Sequence, residues 1–145
     1  MNEINSQQAY DLMQTDGEYI YLDVRSVPEF EAGHAPGAVN IPLLHFEPGF
    51  GMKPNEEFTV VVSATFDKST KLLIGCKAGG RSARACEILS QIGFTDLTNI
   101  RGGFVAATDQ MGRVIEPGWS MLNLPTCSDC KEETRYDWLA AKARD

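Results

Sequence analysis

The chain has 145 residues, 43% of them hydrophobic and 23% charged, which suits a single soluble domain that buries roughly two thirds of its unfolded surface without disulfide support. With 20 acidic residues against 13 basic ones the formal charge is -7, so the surface as a whole repels nucleic acid and anionic membranes, and a small anionic substrate needs a local positive site. No segment approaches the roughly 18 apolar residues of a membrane span, and the N-terminus carries neither the basic region nor the apolar run of a signal peptide, which predicts a cytoplasmic protein. In a reducing compartment Cys76, Cys86, Cys127 and Cys130 are expected as reactive or buried thiols rather than disulfides.

Ser6 to Asp16 predicts a first helix, with Ala9, Leu12 and Met13 on one face, Asn5 or Ser6 as its cap and Gly17 closing it. The run Tyr19-Ile20-Tyr21-Leu22-Asp23-Val24 predicts a buried strand whose end meets a polar loop at Asp23 and Arg25. A helical turn is expected from Pro28 to Ala32, turn formers fill Gly33 to Ala38, a brief strand covers Val39 to Ile41, and Leu43 to Pro54 reads as loop. Between Asn55 and Asp67 two signals compete. Thr59-Val60-Val61-Val62 favours a strand locally, while Phe58, Val61, Val62, Thr65 and Phe66 repeat with helical spacing, and the spacing favours helix. Lys71 to Gly75 is the clearest buried strand, followed by a small-residue loop and a helix from Ser82 to Ile92 that Gly93 ends. Leu97 to Ile100 predicts a strand, Gly102-Gly103 a turn and Phe104 to Gln110 a helix. Strands alternating with helices imply an α/β fold, with a parallel sheet covered by helices on both faces.

The chemistry concentrates at Cys76-Lys77-Ala78-Gly79-Gly80-Arg81, at the end of a strand and the start of a helix. Adjacent glycines let backbone N-H groups fold inward and form an anion cradle at the helix N-terminus. An ordinary thiol with a pKa near 8.5 is only about 3% ionised at pH 7. Inward amides, the helix N-terminus and the charges of Lys77 and Arg81 all act to raise that fraction, which makes Cys76 a candidate nucleophile. A cysteine after an apolar strand is more often a small core residue, but Gly79, Gly80 and Arg81 are poor company for a core. Cys86, among Ala85, Ile88 and Leu89, reads as core.

Tyr21-Leu22-Asp23-Val24-Arg25 with Glu29-Phe30, then Gly33-His34-Ala35-Pro36-Gly37-Ala38-Val39-Asn40-Ile41-Pro42, resembles the N-terminal signature of the rhodanese family. Cys76 to Ser82 is similar to the family's active-site loop, and Gly93-Phe94, Leu97 and Gly102-Gly103 are similar to its later landmarks. The resemblance implies a three-layer rhodanese-like fold and a sulfurtransferase of the thiosulfate type. In that chemistry Cys76 takes sulfane sulfur from a small anionic donor as a persulfide and passes it to cyanide, a thiol or a protein cysteine, with glutathione and thioredoxin as cellular acceptors. It also implies that Lys77, Ala78, Gly79, Gly80 and Arg81 surround the terminal sulfur, that Lys77 and Arg81 attract the donor, and that no metal or cofactor takes part. Sulfur exchange needs no strong base once a thiolate exists, so Asp23, Arg25, Glu29 and His34 read as mainly structural. His45 has no partner evident in the sequence.

Phosphatases and arsenate reductases of related fold place arginine after five intervening residues. Only four separate Cys76 from Arg81, and the next position is Ser82. The other rival is a non-enzymatic rhodanese-like binding module, against which stands the presence of Cys76.

The resemblance runs out near Gln110, which divides the chain into a domain over 1–110 and an extension over 111–145. Glu132 to Ala143 predicts a helix that docks through Tyr136, Leu139 and Ala140. Cys127-Ser128-Asp129-Cys130 stands open between two surface thiols, a redox relay able to resolve the Cys76 persulfide, and half of a zinc site; the last lacks further ligands within the chain.

Overall fold

A computed structural model describes residues 2–128 and 131–145. In chain order it contains β1 (Asn2–Asn5), α1 (Ser6–Thr15), β2 (Ile20–Asp23), α2 (Val27–Ala32), β3 (Val39–Asn40), β4 (Leu44–Glu47) and β5 (Gly51–Pro54). It continues with α3 (Phe58–Thr65), β6 (Leu72–Gly75), α4 (Gly80–Gln91), β7 (Leu97–Arg101), β8 (Ala106–Thr108), β9 (Val114–Pro117) and α5 (Tyr136–Ala143). Five strands form one parallel sheet in the order β1-β7-β6-β2-β3, and β4-β5 and β8-β9 are separate antiparallel hairpins.

The sheet is buried on both faces because its strands are apolar at successive positions. Tyr21, Leu73 and Ile100 point to one side, where they meet Ala9 of α1, Phe30 of α2 and Trp119. Leu22, Leu72 and Ile74 point to the other, against Val61 and Val62 of α3, Ala85 and Leu89 of α4 and Leu139 of α5. That alternation is the two-residue period of a strand. In α3 the helical spacing prevails over β-branched propensity. Phe58, Val61 and Val62 are buried together, while Val60 is left 56% exposed.

Asn5, not Ser6, caps α1: its carboxamide accepts the Gln8 amide at 2.8 Å, and the Gln8 side chain accepts the Asn5 amide at 2.8 Å. Ser6 is buried and donates to Gly103 O at 2.9 Å. This reciprocal box ends β1, a strand that the polar run Asn2-Glu3-Ile4-Asn5 does not announce and that exists through its pairing with β7.

Three stretches differ from expectation. Leu43 to Pro54, expected as loop, holds the hairpin β4-β5, turned at Pro48-Gly49 with Gly49 at φ +82°. Phe104 to Gln110, expected as helix, instead enters the hairpin β8-β9. The alanines there have helical propensity, but the Asp109 carboxylate accepts the amides of Met111 and Arg113, each at 2.9 Å, and closes a tight turn that brings β9 back. In the extension the expected helix from Glu132 is split. Glu132–Thr134 is a 3-10 turn, Arg135 is extended, and α5 begins at Tyr136 with Tyr136, Leu139 and Ala140 buried.

Gly103 carries φ +56°, and a Cβ placed there would strike the carbonyl oxygen of Cys76 and the backbone of Lys77. Gly103→Ala is therefore expected to lower stability by about 2 kcal/mol or more, because both contacts are backbone and neither yields. Urea denaturation checks this.

Candidate active site

Cys76 follows β6 and precedes α4, and it is 2% exposed. Its Sγ accepts the backbone N-H of Gly79 at 3.0 Å. Gly79 is the residue that caps α4 and sits at φ +116°, a conformation that favours glycine and turns this amide inward. The sulfur thus lies at the N-terminus of a helix of 12 residues, where unpaired amides and the helix dipole favour negative charge. Lys77 and Ala78 are exposed at the rim.

The loop is clamped from outside. The amides of Phe104 and Val105 donate to the carbonyls of Cys76 and Lys77 at 2.7 and 3.0 Å. The clamping segment is held in turn by the extension, since Gly118, Trp119 and Ser120 donate to Val105, Gly103 and Phe104 at 3.0, 2.9 and 2.9 Å.

A buried polar chain reaches Cys76 from the sheet. Ser82 Oγ lies 3.4 Å from Cys76 Sγ, 3.1 Å from Gly79 O and 2.5 Å from Asn99 Oδ1, and Asn99 Nδ2 donates to Glu3 Oε2 at 3.0 Å. The roles of Ser82 and Asn99 went unread in the sequence. One signal for them was there: an amide inside the β-prone run Leu97-Thr98-Asn99-Ile100 has to find partners when the strand is central.

Arg81 does not reach into the loop. Its guanidinium grips Glu29 of α2 with two hydrogen bonds, at 2.7 and 3.0 Å. Burial raises the affinity of the Glu29 carboxyl for its proton, but Arg81, together with the hydroxyl and amide of Ser26, outweighs it and holds the group down at about 2. Arg25 forms a second, fully buried pair with Asp23, at 2.8 Å, donates to Gly33 O at 2.7 Å and stacks over Phe104. Lys77 therefore carries the exposed positive charge of the loop.

His34 is buried, with Nδ1 2.6 Å from Phe30 O and its ring stacked on Phe30. His45 packs against Tyr136. Cys86 is buried on α4, and loss of solvent pushes its thiol up to about 12. Cys127 exchanges both backbone hydrogen bonds with His34, at 2.9 and 2.8 Å. Cys130 lies outside the described residues. Among the described residues no group of His, Cys, Asp and Glu is arranged to hold a metal ion, and no helix is long and apolar enough to cross a membrane.

The Glu29–Arg81 pair makes stability pH-dependent with a definite sign. A carboxyl depressed in the folded state stabilises above its unfolded value near 4.5, and the contribution is lost as pH falls toward about 2. Glu29→Gln is expected to cost on the order of 2 kcal/mol at pH 7, after discounting for solvent screening of a partly exposed pair. The difference from the parent protein should close between those two pH values in urea denaturation.

The rhodanese-like domain profile matches residues 6–110. Thiosulfate sulfurtransferase 16, chloroplastic, from Arabidopsis thaliana is 39% identical over 106 residues, covering 73% of this chain and 78% of that protein. Rhodanese-like domain-containing protein 15, chloroplastic, from the same plant is 43% identical over 91 residues, and there the match covers 63% of this chain and half of the relative. In three dimensions the crystal structure of Rv0390 from M. tuberculosis superimposes with a TM-score of 0.73 over 89% of this chain and 98% of that one, at 22% identity, a likeness of fold. With the strand, loop and helix around Cys76 laid out as above, and well over half of the sequence matched, the chain belongs to the rhodanese-like domain family.

Proposed function

We propose that the protein is a sulfurtransferase that carries sulfane sulfur on Cys76. The Cys76 thiolate attacks the outer sulfur of thiosulfate or a similar anionic donor. A sulfur–sulfur bond forms to Cys76, the donor's sulfur–sulfur bond breaks, and sulfite leaves with the bonding electron pair. The persulfide anion that results has the same net charge as the thiolate it replaced. A second nucleophile, whether cyanide, glutathione or a cysteine of a protein such as thioredoxin, then attacks the terminal sulfur and returns the thiolate.

The observation that carries this reading is the Gly79 amide on Cys76 Sγ at the head of α4, a donor that stabilises the thiolate, with the helix N-terminus favouring the charge that moves to the terminal sulfur. The name of the Arabidopsis relative at 39% identity supports the same class. The commitment of Arg81 to Glu29 favours sulfur transfer over phosphate or arsenate chemistry, which needs charge aimed at the oxyanion inside the loop.

Intact mass after mixing with thiosulfate tests the proposal. An adduct of one sulfur atom, about 32 Da, is expected on the parent protein, absent from Cys76→Ser and removed by cyanide. Absence of the adduct from a parent protein whose Cys76 is alkylated readily would overturn it in favour of a binding module. A relay through Cys127 and Cys130 is a separate proposal, supported by the tether of Cys127 to His34, next to the Gly33 that binds Arg25 beside the loop. It predicts that Cys127→Ser with Cys130→Ser slows transfer to thioredoxin while leaving adduct formation intact, and unchanged transfer would refute it.

A further inference from the structure

Asn99 sits in β7, 2% exposed, next to Ile74 of β6 and Glu3 of β1 in the register of the sheet. An ionised Glu3 only accepts, so the amide nitrogen of Asn99 faces Glu3 and its oxygen faces Ser82. Ser82, fully buried, has one hydroxyl hydrogen and three acceptors around it. They are Asn99 Oδ1 at 2.5 Å, Gly79 O at 3.1 Å and Cys76 Sγ at 3.4 Å. The nearest acceptor takes the hydrogen, which leaves the lone pairs of Ser82 toward Cys76. In that arrangement Ser82 accepts from an S-H and does not donate to a sulfur anion.

We propose that Asn99 is a positioning residue for the nucleophile: by holding the Ser82 hydrogen away from sulfur, it sets how readily Cys76 gives up its proton. The inference rests on Cys76 being the nucleophile. Without the Asn99 carbonyl, Gly79 O and the sulfur compete for the hydrogen; the sulfur anion, as the charged acceptor, takes it, and the thiolate gains one hydrogen bond. Charged and titratable groups surround Cys76 on several elements besides. Lys77 and Arg81 come from the loop and first turn of α4, and Arg81 carries Glu29 of α2 with it. Tyr21 and Asp23 come from β2, Arg25 follows it, Cys86 lies deeper on α4, and Glu3 of β1 stands behind Asn99. All but Glu3, which loses its hydrogen bond to Asn99, keep their partners when Asn99 is replaced by leucine, and the Ser82→Ala background separates the hydrogen of Ser82 from any movement of Glu3.

The test is the pH dependence of iodoacetamide alkylation at the Cys76 peptide, followed by mass spectrometry in four proteins: the parent, Asn99→Leu, Ser82→Ala and the double variant. Asn99→Leu is expected to move the midpoint down by about one pH unit, the size of one hydrogen bond to a charged acceptor. In the Ser82→Ala background the same change should move it by nothing, because the hydrogen is gone. A midpoint unmoved by Asn99→Leu, or moved equally in both backgrounds, overturns the proposal. Should Asn99→Leu fail to fold, Glu3→Ala at the exposed end of the chain replaces it. Release of the Asn99 amide then predicts a smaller downward move that depends on Ser82, whereas simple loss of a charge predicts one that does not and counts against the proposal. Alkylation uses no sulfur donor. Loss of the persulfide adduct with the Ser82 coupling intact therefore removes the sulfurtransferase reading alone, and the reverse result removes only the role of Asn99.

Discussion

The site depends on two backbone hydrogen bonds, from the amides of Phe104 and Val105 to the carbonyls of Cys76 and Lys77. With those carbonyls drawn outward, the chain that follows turns back at Gly79 and presents its amide to the sulfur. A loop of small residues has no side-chain packing to define its shape, so an external clamp must supply it. Gly103 allows the clamp to lie this close, since any side chain there would occupy the space of the Cys76 and Lys77 backbone. The clamp is itself held by the backbone of 118–120, so the stretch beyond the matched family region forms part of the scaffold of the loop.

Electrostatics around the sulfur are built from dipoles more than from free charges. Two arginines stand near the loop, and each is matched by a carboxylate: Arg81 by Glu29, and Arg25 by Asp23. The first pair ties α2 to the head of α4, and the second orients Arg25, which binds Gly33 O and stacks over Phe104 of the clamp. The cradle for negative charge is left to the Gly79 amide, the head of α4 and the exposed Lys77. Such an arrangement suits the proposed sulfur transfer, in which one negative charge stays beside the head of α4, because a preorganised dipole needs no rearrangement as that charge moves outward by one sulfur atom.

Particular residues show how far sequence patterns reach. The run Phe58 to Thr65 folds as its apolar spacing dictates, since the face it presents is buried against a sheet that stabilises burial more than a local strand preference does. Ala106-Ala107-Thr108 goes the other way. Its local preference is overridden by a turn closed at Asp109, a signal present in the sequence but weaker than the alanines beside it. β1 carries no pattern of its own, and its conformation comes from the edge of β7. For Arg81, spacing places it beside Cys76 without showing that Glu29, distant in sequence, already occupies its guanidinium.

The sequence by itself determined the α/β class, the buried strands β2 and β6, the helices on either face and the position of Cys76 at a strand-to-helix loop, because these follow from local periodicity and the conformational needs of glycine. Only the tertiary structure decided which groups meet the sulfur and its loop. Ser82, Asn99 and Glu3 come together across three elements, the clamp of Phe104 and Val105 comes from beyond the sheet, and Glu29 claims Arg81 from another helix. Hydrogen bonds between residues far apart in the chain depend on distances that no local pattern encodes, and packing of the two faces of the sheet is what sets those distances.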